Sequence, residues 1–250
     1  ENNKKFIIFQ HGGLFGTRVD SILEDFDKLY GDKLYYWTTK FGLGDNYLSR
    51  FPIRKKKKYH NITLMCSRIG LTIGFRSQLL TEKDNPFLSK TYEIYKYLKP
   101  SLREIFYVKL FPKDRMKVLQ KEEWLNFTGN KVKFINDKKD LFSSKLVILD
   151  QISTAFFEML KMDIPFLIQE DIKNVNFNKK YQKLFSDIKK IGLVFNNYYE
   201  MSRFINKNHN NIDDWWAEIK KNKSFIKFKK NIFTPSTNYS SQITKELLNN

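Results

Sequence analysis

Apolar residues in the stretch 145–169 come first as a run and then on every side of a short segment. Leu146, Val147, Ile148 and Leu149 end on Asp150, which predicts a strand buried on both faces of a sheet. Ser153 and Thr154 then offer N-caps to a helix in which Ala155, Phe156, Phe157, Met159, Leu160 and Met162 are apolar nearly all round, so that helix must be buried. Pro165 stops it, and residues 165–168 make the next strand. The unit is βαβ with tight connections. It sets a helix N-terminus, two hydroxyls and free backbone N–H groups at the carboxyl edge of a parallel sheet, where phosphate binds.

The same alternation runs along the rest of the chain. Residues 5–10 read as a buried strand leading into His11-Gly12-Gly13, residues 19–30 as a loop and short helix, and residues 34–38 as a strand ending in Trp37. Further strands are expected over 61–67, with Ser67 and Arg68 at its end, and over 104–111, 131–135 and 191–195. Helices are expected over 87–98 (ended by Pro100), 115–124, 138–142, 179–190, 200–205 and 212–219. Strands alternating with helices mean a parallel α/β sheet. There is no internal repeat, and only the tail from residue 236 is plainly polar.

With 250 residues, 41% of them hydrophobic, the chain can bury a substantial core. It opens on Glu1 with strand-like sequence almost at once, which reads as the C-terminal part of a longer protein. No apolar run approaches the roughly 18 residues of a membrane span, and no signal segment opens the chain, so a cytoplasmic protein is expected. Cys66 is the sole cysteine, and His11, His60 and His209 lack zinc-ligand spacing; neither a disulfide nor a metal is expected.

The formal net charge of +18 and pI near 9.7 invite a nucleic-acid reading. Lys and Asn are abundant throughout together with Ile, Phe and Tyr, as AT-rich coding alone would produce, and no recognition motif accompanies the charge. No nucleic-acid partner is therefore expected. Arg54, Lys55, Lys56, Lys57 and Lys58 form a run beside Pro52, suited to a solvated linker, or to a patch that holds the protein peripherally on an anionic membrane.

Candidate chemistry lies at strand ends. His11 is either a satisfied buried histidine or a general base at a cleft, since a neutral imidazole can take a proton from an attacking hydroxyl. Gly12 and Gly13 would let a ligand approach the backbone closely. Lys109 and Lys113, around Pro112, would meet phosphate or face water. Ser153 and Thr154 can hold phosphate without a metal, where ordinary capping needs only one of them. Glu158 would accept hydrogen bonds from ribose hydroxyls or pair with Lys161.

The order of these pieces is more specific than any one of them. Gln10-His11-Gly12-Gly13, Tyr36-Trp37 followed by Gly42, Lys109 with Pro112, Asp150 with Ser153, Thr154 and Glu158, and Asp213-Asp214-Trp215-Trp216 succeed one another. Over residues 10–228 the chain thereby resembles a bacterial family of GT-B transferases from surface-polysaccharide loci. It departs from the family pattern where Trp37 is not followed directly by Gly, where Lys109 replaces an arginine, and where Gln151-Ile152 replaces Pro-Gly.

The resemblance implies a GT-B-like α/β fold: a parallel Rossmann-type sheet flanked by helices, with the tail of a second Rossmann-like lobe at the N-terminus. Residues 1–52 would be the remnant of the acceptor lobe and 53–60 a basic linker. Residues 61–235 would form the donor lobe, with the Trp215-Trp216 helix crossing back, and 236–250 a polar tail. The implied activity is metal-independent transfer of a sugar from a CMP-, UDP- or GDP-linked donor to a hydroxyl of a cell-surface glycan or lipid-linked acceptor. No cofactor is expected. His11 would be the base; Ser153, Thr154, Lys109, Ser67 and Arg68 would meet the donor phosphate; Glu158, Gly12 and Gly13 would meet the ribose or sugar. Two alternatives stand beside it: a CDP-polyol phosphotransferase of the same architecture, and a basic protein that binds nucleic acid or anionic membrane.

Overall fold

The computed structural model describes residues 5–10, 15–17, 19, 21–36, 59–66, 86–110, 116–170 and 176–232, with residues 244 and 248. Strands form at the short apolar runs and are brief. Near the N-terminus β1 (Ile7–Phe9) and β2 (Lys33–Tyr35) flank α1 (Ile22–Tyr30). The two strands pair in parallel, Ile7 opposite Lys33 and Phe9 opposite Tyr35, in a sheet of their own. Gly31 lets α1 turn back into this pair, since a Cβ there would lie 2.8 Å from both the Asp27 carbonyl oxygen and the Ile8 side chain.

The main body is a βα alternation. In chain order it runs β3 (Ile62–Met65), α2 (Pro86–Tyr97), α3 (Pro100–Arg103), β4 (Phe106–Lys109), α4 (Met116–Thr128), β5 (Lys133–Phe134) and α5 (Lys138–Phe142). It continues through β6 (Leu146–Leu149), α6 (Thr154–Met162), β7 (Phe166–Gln169), α7 (Lys179–Lys190), β8 (Val194–Phe195) and α8 (Tyr198–Asn208). A 3-10 turn at His209–Asn211 leads to α9 (Ile212–Lys221) and α10 (Lys223–Ile232). The strands form one sheet in the order β5-β4-β3-β6-β7-β8, with each neighbouring pair parallel.

Helices cover both faces, which is why β6 is apolar at every position. Leu146 and Ile148 join Ile62 and Leu64 in a core closed by residues of α2, α3, α4 and α8. Val147 and Leu149 join Phe166 and Ile168 in the opposite core, closed by α6, α7, α9 and α10. Thr63 also faces this second side, where its hydroxyl and that of buried Ser144 satisfy each other at 2.6 Å. Phe156 of α6 meets Phe157, Phe166, Phe185 and Phe228, so truncating it to Ala would cost about 3–5 kcal/mol.

Several boundaries differ from the sequence reading, each for a tertiary or local geometric reason. Helix α6 ends before Pro165, because Asp163 adopts a left-handed backbone (φ 58°) that reverses the chain. Pro100 not only follows α2 but opens α3. Helix α8 begins earlier and runs further than 200–205. It packs along α2, where Asn206 donates to the Tyr97 carbonyl at 2.8 Å and accepts the Lys99 N–H at 2.9 Å.

Helix α10 had no counterpart in the sequence reading, although Phe225, Phe228 and Ile232 make a helical stripe and are buried. The helix expected to cross back, α9, packs Trp216 and Ile219 into the six-stranded body. The basic run at 54–58 lies outside the described residues, as does the 236–250 tail apart from residues 244 and 248.

Candidate functional site

From β3 the chain builds outward through β4 and β5, then returns to the other side of β3 for β6, β7 and β8. Strand order therefore reverses between β3 and β6, and in open α/β sheets ligands bind beyond the carboxyl ends of the strands at such a reversal. Cys66 follows β3 there, and Asp150 through Thr154 follow β6.

Ser153 occupies the N-cap position of α6 in an extended conformation, but its hydroxyl makes no cap hydrogen bond. Only its carbonyl is engaged locally, accepting the Phe156 N–H at 3.0 Å. The preceding loop is fastened sideways: the Ile152 N–H donates to Glu170 Oε2 at 3.2 Å, and the Glu170 N–H donates to the Phe195 carbonyl at 3.0 Å. The start of α6 is thus tied to the ends of β7 and β8. What it presents is a hydroxyl not spent on capping and the positive end of a helix, an arrangement suited to an anion.

The other expected site residues are distributed unevenly. Lys109 ends β4 but is buried, with Nζ donating to the Asn136 carbonyl at 3.3 Å, so its charge is held toward the end of β5 rather than in open solvent. Glu158 lies one turn into α6 beyond Thr154 and is also buried. His11, Gly12, Gly13, Ser67 and Arg68 lie outside the described residues, as do Trp37, Gly42 and Pro112.

Both flanks of the His-Gly-Gly loop are nevertheless visible. The Gln10 N–H donates to the Tyr35 carbonyl at 2.7 Å. The Gly16 N–H donates to Glu24 Oε2 at 2.7 Å, and Glu24 Oε1 accepts from the Tyr36 phenol at 2.9 Å and from Lys28 Nζ at 2.7 Å. Beyond the loop, the Asn178 N–H donates to the Thr17 carbonyl at 2.9 Å and the Val19 N–H to the Asn176 carbonyl at 2.8 Å. Residues 176–178 belong to the connection leaving β7 for α7. The segment after β1 is therefore hydrogen-bonded to a connection that starts from the carboxyl edge of the main sheet.

Sequence reasoning passed over three contributors to this edge. Burial pushes the Cys66 thiol well up, and the Asp150 charge adds to it. Tyr198, the first residue of α8, has its phenol raised by burial and then by Asp150, so it stays protonated. Glu170 joins them through its bond to the Ile152 N–H. Each of these residues sits just past a strand, and in an α/β chain that position was the available signal. No group of three or more His, Cys, Asp or Glu able to hold a metal ion occurs among the described residues, and no described helix is long and apolar enough to cross a membrane.

A parallel sheet with one reversal of strand order and helices on both faces define an α/β protein of Rossmann type. The chain belongs to the LIC12162 family of transferases, whose profile matches residues 1–247. No curated protein matches it.

Among solved structures it is similar to the wall teichoic acid polymerase TagF, at 13% identity and a TM-score of 0.49, with 100% of this chain and 68% of the polymerase covered. A variant of that polymerase aligns at 14% identity and a TM-score of 0.41, covering 82% and 46%. A Listeria monocytogenes protein described as a UDP-N-acetylglucosamine 2-epimerase aligns at 13% and 0.45, covering 93% and 66%. The chain thus spans between about half and two thirds of the length of these structures.

Proposed function

We propose that the chain carries the donor site of a GT-B-type glycosyltransferase, and that the start of α6 holds the phosphate of a nucleotide-activated sugar. The observation that supports this most is the Ser153 hydroxyl, unspent in capping and placed at the strand-order reversal beside the N–H groups of a helix buried by its own packing. Membership of a transferase family agrees with a group-transfer reaction.

In this reading an acceptor hydroxyl of a surface glycan or lipid-linked glycan attacks the anomeric carbon. The new carbon–oxygen bond forms as the bond to the nucleotide phosphate breaks, and the hydroxyl proton passes to His11. Charge left on the phosphate is stabilised by the α6 N–H groups and the Ser153 and Thr154 hydroxyls, and such fixed dipoles need no divalent ion. Backbone bonds between Thr17 and Asn178 and between Val19 and Asn176 hold the segment that follows His11 against the connection leaving β7. The basic run at 54–58 would keep the enzyme near an anionic membrane that bears its acceptor.

Calorimetric titration of the protein with CMP-, UDP- and GDP-sugars and with CDP-glycerol tests the reading. Saturable binding of a sugar nucleotide is expected. Binding of CDP-glycerol alone would make the protein a polyol-phosphate transferase instead, and binding of none would remove the donor site.

A further inference from the structure

Tyr198 begins α8, but its side chain belongs to the core beneath the sheet, among Leu64 and Cys66 of the β3 strand and its end, Ile148 of β6 and Leu167 of β7. Only 2% of the residue is exposed. Its buried hydroxyl has no partner in hydrogen-bonding geometry, although Thr91 lies close enough to lower the phenol against the larger upward effect of burial. A phenylalanine would fill the same apolar space. The oxygen is thus unexplained by packing, and buried hydroxyls are rarely left unmatched.

Its surroundings indicate what would match it. Tyr198 opens α8 just past the end of β8 and so lies at the carboxyl edge of the sheet, the edge that also carries Cys66, Asp150 and Glu170 at the ends of β3, β6 and β7, and all three act electrostatically on the phenol. Two carboxylates beside it disfavour a second anion, whereas the start of α6, a few residues past Asp150, favours one. A ligand spanning both places would set its phosphate at Ser153 and a neutral, hydroxylated portion at Tyr198. Hydroxyls suit that position, since they can both accept from the phenol and donate to acidic oxygens.

We propose that the Tyr198 hydroxyl reads a sugar hydroxyl adjoining the phosphate held at the start of α6, making this residue a binding determinant of the donor site. The assignment rests on the donor-site reading above. Two portions of a sugar nucleotide carry such a hydroxyl, the ribose and the transferred sugar.

Tyr198→Phe removes only the oxygen. The variant should fold with a melting temperature at or above that of the parent, because the parent buries an unmatched donor. Calorimetric titration of parent and variant with CMP, CDP, UDP and GDP, and with UDP-N-acetylglucosamine, GDP-mannose and CMP-N-acetylneuraminate, should show roughly 3- to 10-fold weaker binding by the variant, the value of one hydrogen bond. Equal weakening for a free nucleotide and its sugar conjugate assigns the contact to the ribose; weakening confined to the conjugate assigns it to the transferred sugar.

Unchanged affinity for every nucleotide the parent binds overturns the assignment. If Ser153→Ala still weakens those ligands, the donor site itself stands. Binding of none of these probes by the parent overturns both.

Discussion

The Tyr36 phenol donates to Glu24 Oε1 at 2.9 Å while the other oxygen of that carboxylate accepts the Gly16 N–H at 2.7 Å. One buried side chain on α1 thereby joins the segment after β1 to the segment after β2, the two segments that lead to His11 and Trp37. The phenol of Tyr36 is raised above its ordinary value by burial and by Glu24, so it remains a donor at physiological pH.

Glu24→Ala would strand the Gly16 N–H and the Tyr36 phenol together. A loss of about 1–3 kcal/mol is expected from leaving two part-buried donors unmatched. Glu24→Gln, whose single amide oxygen can serve only some of these donors, should lose less. Urea unfolding measures both; a Glu24→Ala loss below about 0.5 kcal/mol would show that solvent replaces the carboxylate without penalty.

Asp163 is a second strut. Its carboxylate accepts the Trp216 indole N–H at 3.0 Å and Lys220 Nζ at 2.7 Å, while its backbone supplies the left-handed residue that ends α6. Asp163→Ala should cost about 2 kcal/mol, combining a lost hydrogen bond with a left-handed alanine. Asp163→Gly relieves the backbone part only and should be the more stable of the two. The reverse order in thermal melts would mean that the backbone conformation contributes nothing.

His209, just after α8, has its imidazole lowered by burial first and by the Lys145 charge second, and its Nε2 is buried without a partner. A folded-state value below the ordinary one means that the unfolded chain binds the proton more readily. Stability from this group is therefore complete above about pH 6.5 and declines as pH falls from there through the lowered value. His209→Asn should flatten that part of the profile, read as unfolding free energy between pH 7.5 and 5. An unchanged slope would place the dependence elsewhere.

The start of α6 gives a test of the donor site. Ser153→Ala/Thr154→Ala removes two hydroxyls and leaves the backbone N–H groups, so sugar-nucleotide binding should weaken by about 1–3 kcal/mol without vanishing. Because the Ser153 hydroxyl makes no cap bond, its share of any stability loss should be small. Titration of the folded double variant with the ligand the parent binds decides it: equal affinity would move the phosphate elsewhere.

For His11, the alanine variant should turn over roughly 100-fold more slowly with nearly constant donor affinity, as loss of a general base requires. Parallel loss of donor affinity would make His11 a binding residue.

The sequence by itself determined what local apolar spacing can determine. Leu146, Val147, Ile148 and Leu149 could only be a doubly covered strand, the stretch beginning at Thr154 only a buried helix, and Tyr181, Leu184, Phe185 and Ile188 only one face of α7; all of these lie where the pattern put them. That β1 pairs with β2 in a sheet apart from the main one is something apolar periodicity does not reveal.

Tertiary structure decided the rest. Which strands flank β3, and hence where the order reverses, depends on contacts between residues far apart in the chain, such as Ile62 with Leu146, and periodicity carries no information about them. The left-handed Asp163 that ends α6, the length of α8 along α2, and the placing of Tyr198 beside Cys66 and Asp150 follow from packing among distant segments. A tyrosine in sequence declares an apolar ring and a hydroxyl. Whether that hydroxyl finds a partner is settled only when the chain has closed around it.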